Sequence, residues 1–528
     1  FSRLILVDAV GVKHGGPTDR DIADVFSLPA PALAKIMWHD PSKAPDLGAM
    51  TDEQIEMIAA NRSALGLYTW EPYMHNPKLR HWLHRIDIPT LLIWGASDGL
   101  VTPAYGEKYA KLIPGARFVT IPEAGHSPQG EQPPQDEYDS IRVDLPNANF
   151  DPVKGNELYN WYLDLWCMAE EKGLDIMNNE HHQTATCMVP AAPLMLAILA
   201  RETSKARLLI LGNPISNRRN PIRVAEEMAM IDVLSKGRLE CGFVRGVPYE
   251  AQPANRTPQR GSQRLWEAHD MIMKAWTTHD GPFNYEGRWF HGRQINIWPR
   301  PYQQPAPPVW ITMGGRSSTT PVARHKHTGA VFLAGYPRIR EIFDGYRADY
   351  LEIHGEHAPF DRLAYLGLVY VADNETKARE GAEKLLWYMT ANKVPGHWSN
   401  PPGYHPPKVA AQIMKGARGG AGIPLVADLD DQMARGNVFA GTPDQVYEQI
   451  KSFWEYSGGF GNMLMMGQAG FVTHEETERS MELYASEVFP RLKELEASTT
   501  PAEAWEKSKA MKLRDNVPLD GFALEFVR

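Results

Sequence analysis

Arg207-Leu208-Leu209-Ile210-Leu211-Gly212-Asn213-Pro214 and Leu239-Glu240-Cys241-Gly242-Phe243-Val244-Arg245-Gly246 are two largely apolar runs, each punctuated by glycine. Between them, Asn220-Pro221-Ile222-Arg223-Val224-Ala225-Glu226-Glu227 is expected to start a helix with Ile231 and Leu234 on its inward face. Leu234-Ser235-Lys236-Gly237-Arg238-Leu239 then turns that helix into the second run. A short, nearly continuous apolar run suits a strand buried on both faces, as parallel sheets require. The stretch therefore predicts a strand, a crossover helix and a second strand parallel to the first.

The pattern repeats on both sides. Strands are expected at Ile141–Leu145, Asp175–Asn178, Arg207–Leu211, Leu239–Val244, Val309–Met313, Ala330–Ala334, Leu363–Val371 and Asn462–Met466. Helices are expected at 155–172, 193–203, 221–236, 258–276, 319–327, 338–353, 375–390, 443–456 and 475–495. Eight strands, each followed by a helix, predict an α/β chain with a (β/α)8 TIM barrel over residues 140–495. The Pro- and Gly-rich stretch 394–437, with Trp398, Tyr404, His405 and the Gly416–Gly422 run, is expected to be an inserted lid. Residues 496–528 form a C-terminal extension in this reading, and the barrel tryptophans read as core.

Upstream, the prolines of 128–134 mark a linker that ends at 139, and a different pattern precedes it. Residues 1–133 read as a strand over Arg3–Val10, a mostly helical region over 18–85, and strands Thr90–Trp94 and Arg117–Ile121 around a helix at Ala104–Leu112. Thr51-Asp52-Glu53-Gln54 has the spacing of a capping box. Phe1-Ser2-Arg3-Leu4-Ile5-Leu6-Val7-Asp8 reads as a core strand entered in mid-protein, so a preceding segment is expected.

The chain has 528 residues, 43% hydrophobic and 23% charged, which is ordinary globular material. Lys and Arg number 55 against 64 Asp and Glu, a net charge of −9 that argues against a dedicated nucleic-acid binder. No apolar stretch is long enough to cross a bilayer. The three cysteines, Cys167, Cys187 and Cys241, form neither a CxxC metal motif nor a disulfide framework, so no metal is expected and a reducing, cytoplasmic setting is.

Two motifs carry chemistry before the linker. Gly95-Ala96-Ser97-Asp98 and Gly125-His126-Ser127 each follow a strand, where the ligands of a parallel sheet gather. This segment resembles the C-terminal half of the α/β-hydrolase family, with residues 18–85 in place of its lid. The resemblance makes Asp98 the catalytic acid and His126 the catalytic base. In the family the G-x-S-x-G nucleophile elbow precedes the strand that here is Arg3–Val10, so the resemblance implies hydrolysis only in a longer parent protein.

After the linker, Asn179-Glu180-His181-His182 follows the second strand and Gly212-Asn213 the third. Arg245 follows the fourth, where a guanidinium can hold a phosphate. Gly314-Gly315-Arg316-Ser317-Ser318-Thr319-Thr320 follows the fifth and opens a helix, a setting suited to a phosphate monoester. With Pro299-Arg300-Pro301 and Gly441-Thr442-Pro443, this ordered set resembles the bacterial-luciferase-like flavin monooxygenases.

The resemblance implies reduced FMN as cofactor, with a deazaflavin coenzyme as the alternative. It also implies O2 and a small apolar organic substrate, a separate flavin reductase as partner, and a possible homodimer. It places His181 as the catalytic histidine and Glu180 beside the flavin, where it could orient His181. It places the backbone of Gly212 and Asn213 under the ring, and Arg245, Gly315, Ser317, Ser318 and Thr319 at the phosphate. Val244 stands where some luciferases carry a cysteine. No G-x-G-x-x-G motif follows a strand, so no dinucleotide site is expected.

Overall fold

The computed structural model describes residues 3–16, 19–44, 50, 52–69, 71–128, 138, 140–391, 394, 398, 428–513 and 517. Thr51 of the capping box, nearly all of the linker and most of the 394–437 insertion, including Tyr404, His405 and Gly416–Gly422, lie outside them. The chain divides into two compact units, Phe1–Asp139 and Ser140–Arg528.

The first unit is a parallel sheet of β1 (Leu4–Val7), β2 (Thr90–Gly95) and β3 (Arg117–Ile121), in that order. Its central strand is the most buried of the three, and Leu92 and Trp94 are fully buried. Helix Pro103–Ala110 connects β2 to β3, and Gly106 lets the helix close on the sheet: a Cβ there would lie 2.6 Å from the Trp94 ring. The largely helical reading of 18–85 resolves into helices Ala30–Met37 and Asp52–Thr69 plus short 3-10 turns.

The second unit is a parallel barrel sheet with helices outside it. Its strands are β4 (Ile176–Asn178), β5 (Leu208–Asn213), β6 (Leu239–Phe243), β9 (Val309–Thr312), β10 (Thr328–Phe332), β11 (Leu363–Val371), β12 (Val438–Gly441) and β13 (Asn462–Met466). A two-stranded hairpin, β7 (Phe283–Glu286) and β8 (His291–Ile295), is inserted between β6 and β9. Hydrogen bonding runs from β4 through β5, β6, β9 and β10 to β11, which also pairs with β12 and β13. Alternation along the strands makes two cores. Leu209, Leu211, Trp310, Ala330, Ala364, Leu366 and Leu464 fill the barrel interior, while Leu208, Ile210, Cys241 and Val309 join the helical shell.

The eight strands are not quite the eight expected. Ile141–Leu145 is a turn, closed by Asp144 N donating to the Ser140 carbonyl at 2.9 Å. Its alternation mimics a strand, but Arg142 is buried and its guanidinium bonds the Tyr249 hydroxyl (2.9 Å) and Thr186 Oγ1 (3.0 Å). Val438–Gly441 is a strand instead, pairing with Leu368–Val371. Four residues give too short a signal to stand out beside a Pro/Gly-rich stretch. The ring of helices matches the expected positions, and the last expected helix breaks into His474–Leu483 and Phe489–Ala497 around a π turn. Beyond it, helix Pro501–Ala510 packs on the shell: Trp505 is buried and its Nε1 donates to Asp344 at 2.8 Å.

Candidate functional site

All barrel strands are parallel, so the loops that follow them collect at one end. Glu180, His181 and His182 leave β4 there, Asn213 ends β5, and Val244 and Arg245 leave β6. The side chains of Glu180, Asn213 and Glu250 are buried, and His181 is partly open.

His181 Nδ1 lies 2.9 Å from Glu250 Oε1, and that oxygen also accepts from His182 N at 3.0 Å. Val247 N donates to Glu250 Oε2 at 3.2 Å. Burial alone would raise the Glu250 pKa. The His181 hydrogen bond and charge, with the two backbone donors, outweigh it and hold the carboxyl below its ordinary value. An ionised Glu250 fixes the proton on His181 Nδ1 and leaves Nε2 as the nitrogen able to exchange one.

Glu180 does not hold His181. Its Oε1 is 2.9 Å from His182 Nε2 and accepts from Arg218, which also reaches Asn213 Oδ1 at 3.4 Å. Orientation of His181 thus falls to Glu250, which sequence reading missed because it lies 69 positions away, in the short helix Pro248–Ala251 after β6. Arg218 was missed for the same reason, as one of a pair of arginines in a loop. Each sits just after a strand on this end of the barrel, the one signal that could have picked them out.

Gly212 is where the backbone needs no side chain. A Cβ there would lie 2.0 Å from Val244 Cγ1 and 3.0 Å from Val244 Cβ, so β5 and β6 approach closely. The Leu211–Gly212 peptide is cis.

The loop after β9 is less open than expected. Arg316 pairs with both oxygens of Asp349, at 2.6 and 2.7 Å. Thr319 Oγ1 and Thr320 Oγ1 donate to Asp349 Oδ2 at 2.6 and 2.8 Å, so the Thr319 hydroxyl is turned to a carboxylate inside the fold. Those hydrogen bonds overcome burial and keep the Asp349 carboxyl low. Ser317 is exposed and Ser318 folds back onto the Gly315 carbonyl at 2.6 Å. Arg245 is exposed beside Gly261, at the start of helix Gly261–Thr277.

A flavin has polar ring edges and a phosphate, and the donor set fits one. Both amide atoms of Asn178, Asn213 Nδ2 and Glu180 Oε2 are buried at the strand ends without a hydrogen-bond partner, and buried polar atoms ordinarily find one. The glycine at 212 leaves the backbone bare, and Arg245 and Ser317 offer exposed phosphate donors.

In the first unit, Asp98 and His126 do meet. Asp98 Oδ2 lies 2.9 Å from His126 Nδ1, and Asp98 Oδ1 accepts from Leu100 N and Val101 N, each at 2.9 Å. A third group, Asp8, joins them at the end of β1. Its Oδ1 accepts from Gly95 N at 3.0 Å and its Oδ2 is buried without a partner. Burial, with Asp98 adding to it, pushes the Asp8 carboxyl up to about 7 despite the Gly95 hydrogen bond and nearby His126.

No described helix is long and apolar enough to cross a membrane. Residues 70–133 match the alpha/beta hydrolase fold model. The oxygenase component of flavin-dependent trigonelline monooxygenase from Acinetobacter baylyi is 31% identical over 159 residues, 29% of this chain and 43% of that protein. The alkanal monooxygenase beta chain of Photorhabdus luminescens is 28% identical over 212 residues, 39% of this chain and 63% of its own. The chain thus spans less than two thirds of these curated relatives. The FMN-bound oxygenating constituent of 3,6-diketocamphane monooxygenase from Pseudomonas putida shares the fold, with a TM-score of 0.53 at 19% identity over 67% of this chain and 99% of that one. Residues 146–459, more than half of the chain, match the luciferase-like monooxygenase model, and the chain belongs to that family.

Proposed function

We propose that the barrel is a flavin-dependent monooxygenase that takes reduced FMN from a separate reductase and oxygenates a small apolar organic substrate. The observation that carries this is the Glu250–His181 pair at the open end of the barrel, beside the bare backbone of Gly212. Reduced FMN, when bound, supplies the electrons that let O2 give one oxygen atom to substrate and the other to water. The protein's part is positional and protolytic. The Gly212–Asn213 backbone, the unpartnered amide of Asn178 and the unpartnered Nδ2 of Asn213 would receive the ring. Arg245, Gly315, Ser317 and Ser318 receive the phosphate, and Thr319, held by Asp349, positions the loop. His181 Nε2 gives or takes the proton that oxygen transfer moves, with Glu250 holding the imidazole and Glu180 holding Arg218 and His182. Three free thiols fit a cytoplasmic setting, and two barrels are expected to pair.

The test incubates the protein with photoreduced FMN and, separately, with a reduced deazaflavin, under air and under nitrogen, over a panel of small ketones and aldehydes. Product that requires FMN and oxygen is expected. Oxygen-independent product with the deazaflavin would replace this reading with hydride transfer.

For residues 1–133 we propose a hydrolase acid–base pair, Asp98 and His126, to whose imidazole no described Ser, Thr or Cys side chain is hydrogen-bonded as a nucleophile. Simple esters should not turn over, and turnover abolished by His126→Ala would overturn that.

A further inference from the structure

At the other end of the barrel, three imidazoles gather. His269 lies on helix Gly261–Thr277. His325 and His327 belong to the turn Arg324-His325-Lys326-His327 that enters β10 at Thr328. Their ligand nitrogens all lie within 4.8 Å of one another. His269 Nε2 and His327 Nε2 are 2.8 Å apart. The His325 and His327 rings stack with 13° between their planes, and Trp266 stacks on the outer face of the set at His325. His269 and His327 are 1% and 8% exposed, while His325 opens to solvent.

We infer that His269, His325 and His327 form a binding site for one divalent transition-metal ion, of which Zn2+ is the reference case. The second layer is already in place: Asp270 Oδ1 lies 2.9 Å from His269 Nδ1. A carboxylate there fixes the proton on Nδ1 and turns the Nε2 lone pair toward His327, as metal-binding histidines usually require. Nitrogens bound tetrahedrally at about 2.0–2.1 Å from zinc sit roughly 3.3 Å apart. His269 and His327 stand closer than that spacing and every pair lies within 4.8 Å, so small ring rotations would close the site. Solvent access at His325 gives an entry path and room for a water as fourth ligand.

Ligand type selects the metal. Three neutral imidazoles suit Zn2+, Co2+, Ni2+ or Cu2+, whereas Mg2+ and Ca2+ take oxygen ligands. The charges felt at the site, Arg324 and Arg362 against Asp270, also disfavour an ion held by charge alone. The place is structural. His327 immediately precedes β10, so the cluster sits at the strand-entry end of the barrel, the end that carries stability and not catalysis. A bound ion would tie helix Gly261–Thr277 to the entry of β10.

The test uses the full chain, stripped with a chelator and titrated with Co2+ and then Zn2+. One Co2+ per chain should give the visible absorption of a tetrahedral site, Zn2+ should displace it one for one, and saturating Zn2+ should raise the melting temperature. Mg2+ and Ca2+ should do neither. His325→Gln, at an exposed position, should keep the fold and weaken Co2+ binding at least tenfold. His327→Gln should weaken it further, with folding checked by circular dichroism. A featureless Co2+ titration, or binding unchanged in His325→Gln, would overturn the assignment.

Discussion

Replacing Glu250 with glutamine probes the proposed chemistry most directly. The amide is nearly isosteric, so the buried pocket keeps its shape. The carboxylate now serves three donors, His181 Nδ1, His182 N and Val247 N. An amide offers one acceptor oxygen and two N–H groups, so at least one donor meets another donor. Hydrogen bonds to an ionised group contribute about 1.5–3 kcal/mol and neutral ones about 0.5–1.5, which puts the stability loss at about 2–4 kcal/mol. The larger effect should be on rate. General acid–base catalysis by a placed histidine contributes about 10²–10⁴-fold, and His181→Ala should lose most of it. Glu250→Gln should lose at least about tenfold of the same factor, because the amide can donate to Nδ1 and select the wrong tautomer. Two residues acting as a unit are not additive, so the double variant should be no worse than His181→Ala. The assay is product formation per reduced FMN under air, on the best substrate from the panel. The pH dependence has a definite sign. Glu250 is held below its ordinary value in the folded state, so its contribution to stability is present above about pH 4.5 and is lost as pH falls through the lowered pKa. Glu250→Gln should remove that acid limb. Additive losses, or an unchanged rate in Glu250→Gln, would refute the pairing.

Three further outcomes are expected. Arg245→Ala should weaken FMN binding about 10- to 100-fold and leave riboflavin binding unchanged by fluorescence titration, since only FMN carries the phosphate; equal losses would remove Arg245 from the phosphate site. Gly212→Ala should abolish flavin binding and destabilise the chain by about 1–3 kcal/mol, because the new Cβ would lie 2.0 Å from Val244 Cγ1; adding Val244→Ala should recover part of the loss, as read by thermal melts. Asp8 has its folded pKa raised from 3.8 to about 7, so the first unit should lose up to about 4 kcal/mol as pH climbs from 4 through 7. Asp8→Asn should flatten that slope, with its amide oxygen still accepting from Gly95, and an unchanged slope in the variant would sink the assignment.

Much of this was legible in the chain itself. The continuous apolar runs at 208–211 and 363–371 marked strands correctly, because a strand buried on both faces admits no polar interruption. The run at 141–145 misled because alternation does not distinguish a strand from a turn anchored by a buried arginine. The strand at 438–441 was missed because burial of four residues leaves no periodicity to read. His181 and Gly212 were visible as residues, but not their partners.

The sequence by itself determined the order of elements, the class of the fold and which polar residues follow which strand. These depend on local pattern, and in a parallel barrel the strand ends face one way. Only the tertiary structure decided which charges meet. It gave His181 to Glu250 and Glu180 to Arg218 and His182, turned Thr319 to Asp349, and brought Asp8 to Asp98. The physical reason is that electrostatic contacts act through space over a few ångströms, between strands far apart in the chain. No spacing along the sequence records them.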